Sequence, residues 1–229
     1  MRLAYRSKKH SRGFTWTEQT MTKLFIVRHA QATGNQDKRF QGSTDNDISA
    51  YGRLQLAALS ERCHRLPLDR IYTSPLRRAV ETAKAVGGGR RLAILERQEL
   101  REIDCGVWEG MTWDSIRCER AAEFETWVSK PHEFQAPGGE AMRSVFSRMN
   151  HILGEILEDN PGGCIAIVSH GCAIRNLMCR IHGLPFEQLS QTPWMEHAAI
   201  TAVEDSAAGL SIVFENDIQH LQKIKSYLA

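Results

Sequence analysis

The sequence predicts an α/β fold in three layers, with a mostly parallel central sheet and helices on both faces. Three observations predict it. Two strongly apolar runs, Leu24-Phe25-Ile26-Val27 and Cys164-Ile165-Ala166-Ile167-Val168, are each short enough for one buried strand. Each run ends abruptly at a histidine, His29 or His170. Around and between them apolar residues recur at helical spacing, and strands alternating with helices argue for parallel pairing covered on both sides.

Size and composition fit that class. A chain of 229 residues, 42% hydrophobic and 24% charged, suits one globular domain with a substantial core. No apolar run approaches the roughly 18 to 20 residues of a spanning helix, and nothing near the start resembles a secretion signal, so a cytoplasmic protein is expected. Six cysteines lie scattered without C-x-x-C and read as reduced thiols. Residues 1–20 hold Arg2, Arg6, Lys8, Lys9 and Arg12 against Glu18, so the formal charge of +2 comes from this stretch. With no apolar periodicity to pack, it reads as a basic, flexible extension, leaving a single domain over 21–229. The weakly acidic body offers no face for nucleic acid.

The elements follow in order. After the first strand and a polar loop, Gln36 to Asp47, Ser49 is a plausible N-cap for a helix carrying Leu56, Leu59, Cys63 and Leu66, despite Gly52. Asp69 to Thr73 reads as a second strand. Ser74 as cap and Pro75 in the first turn predict a helix to about Val86, ended by Gly87-Gly88-Gly89. Arg78 then lies near a helix N-terminus, an end that favours anions. Leu92 to Leu95 is a short third strand. Leu100 to Gly110 should be an ordered loop, because Trp108 and Trp113 are costly to expose unless they line something. Residues 112–129 read as short helices and Pro131 to Glu140 as a loop, so about 105–140 forms an inserted cap. Met142, Val145, Phe146, Met149, Ile152, Leu153, Ile156 and Leu157 trace one face of a long helix that stops at Pro161. The second apolar strand and a helix to about His182 follow. Ala199 to Val203 and Leu210 to Phe214, joined through Gly209, look like a late hairpin or edge pair.

Ligands of open α/β sheets bind beyond the carboxyl ends of strands, which places Arg28, His29 and His170 at one crevice. Taken singly, Arg78 reads as a solvated surface charge and His170 as structural. Glu99, Asp104 and Glu109 compete with Glu102 for any acid role. His10, His64, His132, His151, His182, His197 and His220 read as surface or satisfied structural side chains. Neither H-E-x-x-H nor G-x-S-x-G occurs, which argues against a metallohydrolase and a serine hydrolase.

Together, Arg28-His29, Ser74-Pro75-Leu76-Arg77-Arg78, Leu100-Arg101-Glu102, Gly106-x-Trp108-Glu109-Gly110, Pro137-Gly138-Gly139-Glu140 and Ser169-His170-Gly171 resemble the histidine phosphatase superfamily, of phosphoglycerate mutase-like fold. The likeness runs from Leu24 to Leu221. It implies His29 as nucleophile and Arg28, Arg78 and His170 around the transferred phosphoryl group. Asn35, Gly171 and Gln41 join them as substrate contacts, and Glu102 is the proton donor. The chemistry wants these types: guanidiniums and an imidazole can hold the charge spread over a phosphoryl group, and a neutral histidine can attack it. The stretch between Glu102 and His170 is shorter than mutases usually carry, and looks like the compact broad-specificity phosphatases. The resemblance therefore implies a metal-independent phosphatase of small phosphomonoesters with a phosphohistidine intermediate. No cofactor, nucleic acid or membrane partner is expected; the partner is a small phosphorylated metabolite, and a homodimer is left open. A phosphoglycerate mutase and a catalytically silent phosphoryl-binding module are the alternatives. Ala30, Gln31 and Ala32 stand where the family more often has Gly, Glu and Thr or Ser.

Overall fold

Strand β1 (Thr22–Arg28) lies inside the sheet because both of its faces are apolar. In a computed structural model describing residues 21–222 and Ile224, β1 pairs in parallel with β4 (Cys164–Ser169) and antiparallel with β5 (Ile200–Ser206). The predicted extension at 1–20 lies outside the described residues. With β2 (Arg70–Thr73), β3 (Ala93–Glu96) and β6 (Gly209–Asp217), the strand order is β3-β2-β4-β1-β5-β6. β1 to β4 are mutually parallel, as expected. The late hairpin is present, with β6 at the edge, while β5 is an interior strand.

Side chains alternate across the sheet and divide the core in two. Leu24, Ile26, Tyr72, Ile165 and Ile167 face α6 (Met142–Asp159) and α7 (Gly171–Ile181). Val27, Ile71, Ala166 and Val168 face α2 (Ala50–Cys63), which follows the one-turn α1 (Thr33–Gln36), and α3 (Arg77–Gly87). The three layers are those the sequence predicts. Among the described residues all six cysteines are free, and no helix is long and apolar enough to cross a membrane.

The helix ends show which local signals held. Ser49 caps α2, its Oγ accepting from the Gly52 N–H at 3.0 Å, and Gly88 closes α3 in the left-handed conformation at φ 58°. Gly52 is tolerated in a helix for a packing reason: a Cβ there would stand 2.1 Å from the Gln31 carbonyl oxygen. Gly52→Ala is therefore expected to lower unfolding stability by about 1–3 kcal/mol through overpacking. Urea unfolding checks this, and an unchanged midpoint would contradict the contact.

One helix start differs from expectation. The helix predicted to begin at Ser74-Pro75 begins at Arg77, with Leu76 as N-cap. Ser74 Oγ accepts instead from the Leu76 N–H at 3.3 Å, and Asp45, from a distant loop, accepts the Arg77 N–H at 2.7 Å. Tertiary partners replaced the local cap.

Between β3 and α6 lie α4 (Trp113–Glu119), α5 (Ala121–Ser129) and single turns at Gln98–Leu100, Gly106–Trp108 and Pro131–Glu133. Trp108 is fully buried at the centre of this region, with ring centroids 5.6 Å from Phe40 and 4.8 Å from Phe134. The loop before Glu102 is fastened by Arg148, which pairs through two nitrogens with Glu140 and donates to the carbonyls of Glu99 and Arg101. Expensive loop aromatics and a half-buried guanidinium thus make an ordered wall.

Candidate active site

The carboxyl ends of β1 and β4 deliver His29 and His170 side by side, ring centroids 5.0 Å apart. The His29 N–H donates to the Ser169 carbonyl at 2.9 Å, so the strand register itself fixes the pair. His29 Nδ1–H donates to the Ala30 carbonyl at 2.7 Å. That contact selects the tautomer and leaves Nε2 with a lone pair. The ring is almost fully buried and lines a cavity of about 390 Å³.

The remaining site residues fall into two groups. Arg28, Asn35, Gln41, Glu102 and Gly171 line the cavity with His29. Among the described residues Arg28 Nε and Gln41 Nε2 are buried donors without a protein acceptor, which suits an anionic ligand. Asn35 also accepts the Ala32 N–H through Oδ1 at 3.0 Å, shaping the loop after the nucleophile position. Arg78 and His170 stand behind His29, outside the cavity lining. Arg78 Nε donates to His170 Nδ1 at 3.2 Å, and its two terminal nitrogens donate to the carbonyls of Thr44 and Gly42. His170 Nε2–H donates to Ser74 Oγ at 2.7 Å.

The competing carboxylates separate by partner. Glu109 gathers the N–H groups of Gly42, Ser43, Thr44 and Cys105. Burial pushes its pKa up, but hydrogen bonds from the Thr44 hydroxyl and from the N–H groups of Cys105, Ser43 and Thr44 outweigh it and hold the carboxyl below the ordinary range. Its work is to fix the loop that receives Arg78. Glu102 is 9% exposed and reaches the cavity. Both its oxygens accept backbone N–H groups, from Ile103, Cys172 and Ala173, each at 3.0 Å. Two of these belong to the first turn of α7, whose dipole favours negative charge.

His197, read from sequence as a surface or structural side chain, is part of the site. Its Nδ1–H donates to the His29 carbonyl at 3.2 Å, Arg28 Nη2 donates to its Nε2 at 3.3 Å, and its ring lies 5.2 Å from that of His29. Trp194 also lines the cavity, a position that no sequence pattern marks. Both lie in the irregular segment before β5. Because β5 runs antiparallel to β1, its beginning meets the carboxyl end of β1. A histidine just before an apolar run was the available signal.

Burial is the largest influence on all three histidines, lowering each pKa, and nearby positive charge adds to it. His29 and His170 are pushed well below the ordinary range, with Arg78 the next contributor, and His197, with Arg28 next, to about 3. The folded rings stay neutral where unfolded ones take a proton, below about pH 6.5. The unfolded chain then binds more protons, so stability present above that pH is lost as pH falls. Below the unfolded pKa the expected slope is about 1.4 kcal/mol per pH unit per histidine, or about 4 for the three. Urea unfolding at a series of pH values from neutral to mildly acidic measures it. A flat profile would mean that the fold accepts those protons.

Comparison with known proteins agrees with this geometry. The histidine phosphatase superfamily (branch 1) profile matches residues 24–218. Phosphoserine phosphatase 1 of Hydrogenobacter thermophilus is 34% identical over 164 residues, 72% of this chain and 78% of that protein. A probable phosphoglycerate mutase GpmB of Klebsiella pneumoniae is 32% identical over 165 residues, 72% of this chain and 77% of its own length. Among solved structures, Bacillus stearothermophilus YhfR superposes with a TM-score of 0.83 at 32% identity, covering 88% of this chain and 100% of its own. A mycobacterial glucosyl-3-phosphoglycerate phosphatase in complex with VO3 gives 0.79 at 25% identity, covering 85% and 98%. With the profile spanning nearly all of the described sheet and both strand-end histidines, this chain belongs to branch 1 of the histidine phosphatase superfamily.

Proposed function

We propose that His29 Nε2 attacks the phosphorus of a small phosphomonoester bound in the cavity. The family and its phosphatase-named members make the chain a hydrolase of such esters that needs no metal ion. The observation that carries the residue assignment is the state of His29, neutral, held by Ala30 through Nδ1, and open at Nε2 beside unpartnered donors. The Nε2–P bond forms as the ester P–O bond breaks, and the leaving oxygen takes a proton from Glu102. Water then attacks the phosphohistidine and gives its proton to the Glu102 carboxylate; the Nε2–P bond breaks, inorganic phosphate leaves, and the neutral ring and the carboxylic acid are both restored. Arg28, Asn35, Gln41 and the Gly171 N–H contact the phosphoryl oxygens. Arg78 and His170 act from behind, Arg78 adding positive charge that disfavours imidazolium. Guanidiniums supply the charge that Mg²⁺ supplies in other phosphoryl-transfer sites.

Acid-quenched and alkali-quenched samples taken during turnover test this. The expected result is an alkali-stable, acid-labile phosphoryl label on His29, with turnover unchanged by exhaustive chelation. Turnover without that label, or turnover restored only by a divalent ion, would overturn it. The similarity to GpmB favours mutase-type transfer as a second reading. With phosphoglycerate as substrate, the balance of released phosphate against positional isomer decides between them.

A further inference from the structure

The cavity has a wall that phosphoryl transfer does not use. Phe40, Trp113, Trp127 and Trp194 line it together with Arg28 and His29. Packing accounts for Phe40 and Trp127, which are buried, and for Trp113, whose ring is 5.0 Å from Phe40. It does not account for Trp194, which is 42% exposed. Exposing an indole gives up apolar burial, so an exposed ring held in place calls for an explanation.

Trp194 is held in place. The Arg175 guanidinium, itself buried, lies 4.6 Å from the ring centroid. Arg175 is fixed in turn by donating to the carbonyls of Thr192 at 2.8 Å and Ser190 at 3.1 Å. The Trp127 ring stands 5.8 Å away at 31°. A cation over one face and an indole beside it make Trp194 a platform set before any ligand arrives. The cavity is far larger than a phosphoryl group needs, and the lining holds one guanidinium besides Arg28. That one is Arg39, with Nη1 donating to the Gly110 carbonyl at 2.8 Å. A short phosphorylated carboxylic acid would leave the aromatic wall facing water; a ring would cover it.

We infer that this chain prefers phosphomonoesters whose leaving group carries a flat ring, aryl or arylalkyl phosphates, with that ring stacked on Trp194. The inference rests on the phosphatase reading above and names its substrate class. Stacking on a fixed aromatic surface supports about a tenfold preference.

Phenethyl phosphate and n-butyl phosphate test it, because their alcohols are similar leaving groups and differ mainly in the ring. The kcat/KM for phenethyl phosphate is expected to be about tenfold higher, and higher than for phosphoserine or phosphoglycerate. Trp194→Ala should bring the ring-to-alkyl ratio close to one, while Trp194→Phe keeps part of it. The matching phosphonates, read as competitive inhibitors or by tryptophan fluorescence, should show the same order without chemistry. A wild-type ratio near one, a ratio unmoved by Trp194→Ala, or faster turnover of phosphoserine or phosphoglycerate would overturn the inference and leave the phosphatase reading standing. If no phosphomonoester is turned over yet the ring phosphonate binds tighter through Trp194, the ring preference stands and the phosphatase reading falls.

Discussion

His29→Ala should lower kcat on p-nitrophenyl phosphate by roughly 10⁴- to 10⁶-fold, the usual cost of deleting a covalent nucleophile. The loss follows from what the ring alone provides. Arg28, Asn35, Gln41 and Gly171 would still hold the phosphoryl group, but Nε2 is the lone pair that this geometry presents to it. Binding should survive better than turnover, because the donors around the phosphate are untouched. A single-turnover assay with competitive inhibition by a non-hydrolysable phosphonate as the binding control reads both quantities. A variant within tenfold of wild type would show that water attacks directly and that His29 only positions the ester.

For Glu102→Gln the expected loss depends on the leaving group: about 10²- to 10⁴-fold on an alkyl ester and far less on p-nitrophenyl phosphate. Nitrophenolate leaves without a proton; an alkoxide does not. The substitution also has a cost common to both substrates. Glu102 accepts three backbone N–H groups through two oxygens, and glutamine offers one oxygen, so an N–H of Cys172, Ala173 or Ile103 loses its acceptor. Comparing phenethyl with p-nitrophenyl phosphate removes that shared part and keeps a ring in both. Equal losses would make Glu102 a brace for the first turn of α7, and the proton would have to come from elsewhere.

What the sequence made legible was local. Apolar runs ending at His29 and His170, the cap at Ser49 and the stop at Gly88 are written in neighbouring residues, and the structure contains all four. Motif order gave Arg28, Arg78 and Glu102, and the structure brings them to the same end of the sheet. What they do to one another was not legible. The bond from Arg78 to His170 and the role of Glu109 in fixing the Arg78 loop depend on loops meeting across the fold. Asp45 moved the start of α3 for the same reason, a partner remote in sequence displacing a local cap. His197 reads as surface or structural and Trp194 carries no signal because both sit in irregular chain, where neither period exists to show which way a side chain faces. Their placement follows from the antiparallel docking of β5, and a strand's direction is not encoded in its own residues.

The central strand of the sheet is the first in the sequence and among the last to be completed. Val27 pairs with Val168 on one side and Ile200 on the other, so its neighbours are translated long after it. Closing such large loops is entropically opposed, and non-local pairing forms slowly. On the ribosome His29 therefore emerges early as an ordinary, solvated imidazole. The Ser169 carbonyl that receives its N–H and the His197 ring that packs tilted against it arrive only with later chain. The surroundings of His29 are complete only once the segment before β5 has docked, and every nascent chain that stops short of β5 carries the histidine without its site.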